Sequence, residues 1–155
     1  RHYLLAQSRK RLTFSGTVKD IRAMRGQLQT RCGGVNAILI EDKANGPAII
    51  ETLGKELPGV IAIEPQGSKQ ARAEAVVPLF EAGNVLLPHP DEEPWVESFI
   101  HEWLSVPTGA FWDQVDAASQ YLVRYGRVLP VNMSTAMVAD SVVAAEDTGS
   151  PWSMG

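Results

Sequence analysis

The sequence predicts an α/β fold whose sheet contains parallel segments. Three observations carry this. The apolar runs "VNAILI" and "GVIAIEP" are short enough for buried strands, each is followed by a loop rich in breakers, and each loop leads into a segment with helical character. Strands separated by helices in this way need crossover connections, and open α/β sheets gather ligands at the carboxyl ends of their strands. Glu41 stands at such an end.

Taken in order, Tyr3 to Phe14 is β-prone and stops at "SGT". Thr17 followed by Asp20 makes a capping-box-like start to a helix, and Val18, Ile21, Met24 and Leu28 form its apolar stripe up to Gly33 and Gly34. Beyond "VNAILI" and "EDKANGP", Pro47 suits the first turn of a second helix with Ile50, Leu53 and Leu57 toward the core. "GVIAIEP" is the next strand, "SKQARAEAVV" a helix expected to end at Pro78, and "NVLLP" a short strand closed by the acidic, proline-bounded loop "HPDEEP". Trp95, Phe99 and Trp103 recur every fourth residue, a spacing that suits core packing better than base stacking. After "SVPTGAF" a last helix runs to about Arg124, and the small residues Ala117 and Ala118 are expected to let it approach the sheet closely. Residues 1–128 are read as one domain and 129–155 as a poorly ordered tail.

With 155 residues, 45% of them hydrophobic, the chain suits one ordinary core. The single cysteine, Cys32, rules out an internal disulfide framework, and with His2, His89 and His101 it forms no zinc-ligand spacing. Neither a membrane span nor a signal peptide is expected, and a soluble, cytoplasmic setting fits. A formal net charge of −4 does not advertise nucleic-acid binding, yet a site for divalent metal needs clustered carboxylates, so charge decides nothing. The chain opens at Arg1 on what reads as a strand already under way, so it is expected to be a fragment of something longer.

Two acidic groups stand out. Glu41 and Asp42 follow a buried strand, and the acid nearest the strand end is the better placed to hold a metal. Asp113 and Asp116 lie one turn apart on one face of the last helix, where they serve either a shared pocket or the helix end, by capping and by complementing its dipole. If these acids converge, oxygen ligands on separate elements suit Mg²⁺ or Mn²⁺ and a two-metal phosphodiester site. Lys69 and Arg72, one turn apart at a helix start, suit either phosphate contacts or a solvated face.

The segments "YLLAQSRKRLTF", "ILIEDKANGPAIIETL", "GSKQARAEAVVPLFEAGNVLLP" and "PTGAFWDQVDAASQYL", in this order, resemble the nuclease domain of the large terminase subunit of tailed bacteriophages and prophages from about Tyr3 to Tyr125. The resemblance implies a ribonuclease H-like mixed sheet flanked by helices, and an endonuclease that cuts concatenated viral DNA with Mg²⁺ or Mn²⁺ during genome packaging. It also implies an upstream ATPase motor, and a portal protein and small terminase subunit as partners besides double-stranded DNA. Carried over by position, Glu41 and Asp113 are the catalytic acids, Asp42 and Asp116 support them, and Glu41, Asp113 and Asp116 hold metal; Lys43, Lys69 and Arg72 are expected to meet DNA, the last two for their one-turn spacing at a helix start. Two departures accompany it. The first aspartate of the family's late doublet reads Trp112, and the family's first acid belongs to an opening strand upstream of "RHYLL". Rival readings are another ribonuclease H-like recombinase or transposase, and a non-catalytic prophage remnant or portal-docking module.

Overall fold

A computed structural model describes residues 1–126. The expected tail at 129–155 lies outside them. Nine elements follow one another: β1 (His2–Tyr3), α1 (Phe14–Cys32), β2 (Ile38–Glu41), α2 (Gly46–Gly54), β3 (Val60–Ile63), α3 (Lys69–Glu81), β4 (Val85–Leu86), α4 (Trp95–Leu104) and α5 (Asp113–Tyr125). The α/β class is as the sequence predicts. The described strands form two separate parallel pairs, β1 with β4 and β2 with β3, so no antiparallel hairpin is seen among them.

The β2–β3 pair is the longer, in register from Ile38 opposite Val60 to Glu41 opposite Ile63. It is covered by α2, against which α1 packs, around a core of Val18, Ile49 and Leu53 with Ile21, Ile40, Leu57 and Val60 at its margin. Ile49, rather than the expected Ile50, is the buried isoleucine of α2. Pro47 sits in the first turn as expected. Gly46 before it is required by space, because a Cβ there would overlap the carbonyl oxygen of Glu41. The start of α2 is thereby pressed against the end of β2.

The remaining helices form a second packed group, with α5 lying along α3 and against α4. Its buried residues include Ala73 and Val76 from α3, Val96 and Phe99 from α4, and Val115 and Leu122 from α5. Of the aromatic stripe, Phe99 is buried while Trp95 and Trp103 are half-buried against it: Phe99 stands 6.1 Å from both, and Trp103 lies 4.7 Å from Phe80.

Four further expectations are corrected. Only His2 and Tyr3 of the β-prone opening run join a ladder, because the residues that follow are held by side chains instead: Ser8 and Lys10 donate to Asp20. That use of Asp20 also removes the supposed capping box, and α1 begins earlier, on Thr13, whose hydroxyl accepts from the Gly16 amide at 3.3 Å. Its end is as expected, with Gly33 in the left-handed region at φ 79°. Pro78 does not end α3, since within the final turn it removes a single ladder donor and the helix continues to Glu81. Ala117 is exposed, and α5 packs on helices rather than closely on a strand pair there.

Candidate functional site

Between the two packed groups lies a cleft of about 390 Å³ whose lining includes Glu41 and Ile63 from one side and Lys69, Asp113, Asp116 and Tyr121 from the other. Acids that are far apart in sequence thus face one space. Glu41 is the last residue of β2, fixed by the ladder and by the close approach of α2. Its carboxylate is 3.5 Å from the Lys43 ammonium, which is itself largely exposed.

The first turn of α5 carries the other two acids, and neither caps it. The N-cap position is Trp112, which makes no side-chain cap bond; its indole instead donates to the Gly109 carbonyl at 3.0 Å. The free amides are taken by Glu102 of α4, buried at 5% exposure, whose Oε1 accepts from the backbone of Gln114 at 2.7 Å and of Val115 at 3.2 Å. Oε2 accepts from the Gln114 side chain at 2.7 Å and lies 3.4 Å from Arg9. Glu102 was not singled out in the sequence. A signal existed, since it follows Phe99 by one helical turn and therefore shares the buried face of α4.

With capping done from elsewhere, Asp113 and Asp116 are free for other contacts. Asp113 is 72% exposed. Asp116 is buried, and its Oδ1 accepts from both Nε and Nη2 of Arg72. Arg72 is held in turn by the Gln66 and Gly67 carbonyls at 3.3 and 2.8 Å. Lys69, at the start of α3 just after its N-cap Ser68, places its ammonium 3.9 Å from Asp113 Oδ1 and 3.4 Å from Asp116 Oδ2.

The expected residues therefore divide. Lys69 faces the cleft and Lys43 stands at its edge beside Glu41, whereas Arg72 points inward, its guanidinium committed to Asp116 and two carbonyls rather than offered to DNA. Asp42 is exposed in the loop after β2, outside the cleft lining. Glu41, Asp113 and Asp116 reach one cleft, but among the described residues no three acidic, histidine or cysteine side chains stand close enough to surround a metal. Glu41 is turned toward Lys43, and Asp116 is drawn to Arg72. The fit to Mg²⁺ or Mn²⁺ rests on donor chemistry: hard carboxylate oxygens, two of which already share one cation in Lys69.

A family model described as the terminase RNaseH-like domain matches residues 2–124. No curated protein and no solved structure matches the chain.

Proposed function

From the premise that this chain belongs to the terminase ribonuclease H-like domain family, with its α/β fold, we propose that it is the metal-dependent DNA endonuclease part of a large terminase subunit, cutting concatenated viral DNA during genome packaging. The observation that carries the proposal is the meeting of Glu41, Asp113, Asp116 and Lys69 in one cleft. In this reading Asp113 and Asp116 hold Mg²⁺ or Mn²⁺ from α5, and Glu41 does so from the opposite wall. A divalent ion held by these residues would supply Lewis-acid chemistry for phosphodiester hydrolysis. Asp113 offers an accessible carboxylate. Asp116 is oriented by Arg72, and Ile63 and Tyr121 line the cleft beside the acids. Lys43 and Lys69 supply cations for the flanking phosphates.

Asp113, Ala117 and Tyr121 of α5 line both this cleft and the neighbouring groove beside Tyr3 to Arg9. Double-stranded DNA, the portal protein and the small terminase subunit are the proposed partners, and the host cytoplasm the proposed setting.

Plasmid cleavage by the intact subunit tests the reading. Asp113→Asn and Glu41→Gln are each expected to abolish Mg²⁺-dependent cutting while leaving the circular dichroism spectrum unchanged; wild-type cutting by either variant would refute the assignment. Trp112 favours a second reading, a non-catalytic docking module, because an indole bound to a loop carbonyl stands where the family pattern has a carboxylate. Absence of cutting by an unaltered, folded subunit supplied with Mn²⁺ would select it.

A further inference from the structure

We propose that Lys69 is the resident counterion of the Asp113 and Asp116 carboxylates, occupying the divalent ion's place until metal binding displaces it. The inference rests on the metal-site reading above and adds a competitor within it. Two carboxylates on one face of a helix repel each other, and the single buried cation beside them, Arg72, is spent on one oxygen of one aspartate. Asp116 Oδ1 belongs to Arg72, and Oδ2 is left toward the cleft. The Lys69 ammonium lies within 4 Å of that oxygen and of Asp113 Oδ1.

The two basic residues at the start of α3 thus have different work. Arg72 is nine-tenths buried and braced by the carbonyls of Gln66 and Gly67, and so sets which Asp116 oxygen faces outward. Lys69 is half exposed, on a flexible stem anchored at a capped helix start. It can leave without disturbing the core. Divalent charge held by these carboxylates would repel the ammonium, which would then turn to solvent at the cleft mouth, where a phosphate would meet it. Without metal, Lys69 offsets the carboxylate charge of Asp113 and Asp116, and metal binding must overcome that ion pair.

Calorimetric titration of the intact protein with Mn²⁺, alongside thermal melts in EDTA, tests this without measuring cleavage. Lys69→Met should lower the melting temperature in EDTA and tighten Mn²⁺ binding about fivefold, the scale of removing one screened charge at this distance. Lys69→Arg should keep wild-type affinity, and Asp113→Asn should remove binding in either background. If Lys69→Met does not melt cooperatively, Lys69→Gln is read in its place. Unchanged or weaker Mn²⁺ binding on loss of Lys69, with Asp113→Asn still abolishing it, overturns the role of Lys69 and leaves the metal site standing. Binding that survives Asp113→Asn, or is absent from both wild type and Lys69→Met, overturns both.

Discussion

Glu102 holds the start of the helix that carries the candidate acids: one of its carboxylate oxygens accepts from the backbone amide of Gln114, 2.7 Å away, and from that of Val115. A buried anion at a helix N-terminus satisfies donors that would otherwise be orphaned, and it complements the helix dipole. It also positions the turn, since the Gln114 side chain bonds Glu102, Ser98 and Gln7. Asp113 and Asp116 flank this clamp.

Glu102→Ala should therefore cost about 2–3 kcal/mol, the range for a charge-assisted buried contact, because it strands two backbone amides and leaves Arg9 unpaired. Glu102→Gln keeps an acceptor for the amides and should cost roughly half as much. Urea denaturation measures both. Equal losses in the two variants would mean that the charge, not the acceptor, carries the clamp.

Lys43 and Lys69 should behave differently from Arg72 in DNA binding. Each of Lys43→Ala and Lys69→Ala should reduce the slope of log affinity against log salt by about one unit if it meets a phosphate. Arg72→Met should leave that slope unaltered and instead destabilise the fold by about 3 kcal/mol, as breaking one side of a buried ion pair does. A reduced slope with unaltered stability in Arg72→Met would place that guanidinium on DNA after all.

This contrast shows where the sequence was legible. β2, β3 and the helices from α2 to α5 could be read because each is announced by local features: Pro47 in a first turn, the fourfold spacing of Trp95, Phe99 and Trp103, the apolar run ending at Glu41. Lys69 and Arg72 share a helical face by the same local rule, but their fates separate because Asp116 approaches from α5, a tertiary fact that spacing cannot express. The opening run was misjudged for a related reason. Its strand propensity competes with side-chain tethers from Ser8 and Lys10 to Asp20, and the tethers prevail beyond Tyr3. Glu41, Asp113 and Asp116 line one cleft, where Lys43 pairs with Glu41 and Arg72 with Asp116, partners that local spacing alone does not reveal.

The tether predicts an acid-sensitive term in stability. Hydrogen bonds from Lys10, and then from Ser8, hold the Asp20 carboxyl below the usual aspartate range. A carboxyl whose folded value is depressed stabilises the protein above its unfolded value, and that contribution is lost as pH falls through the folded one. Thermal melts should accordingly show a falling midpoint from about pH 4 downward, and Asp20→Asn should flatten that limb. An acid limb identical in wild type and Asp20→Asn would show that the tether contributes no net stability.

Gly46 ties the fold to the site most directly. The helix α2 begins so close to the end of β2 that any side-chain carbon at Gly46 would meet the Glu41 carbonyl oxygen, and backbone cannot yield as a flexible side chain would. Gly46→Ala must therefore either shift α2 away from the core of Ile49 and Leu53 or displace the strand end that presents Glu41. Overpacking of this kind costs about 1–3 kcal/mol. Because Gly46 lies outside the cleft lining, a change at the site must pass through Glu41. Gly46→Ala should lower the urea midpoint and weaken Mn²⁺ binding together, whereas Leu53→Ala, which empties core volume behind the same helix, should lower stability by about 2–5 kcal/mol with less effect on Mn²⁺ affinity in the folded fraction. Equal effects of the two substitutions on Mn²⁺ affinity would show that Glu41 is not specifically positioned by the packing of Gly46.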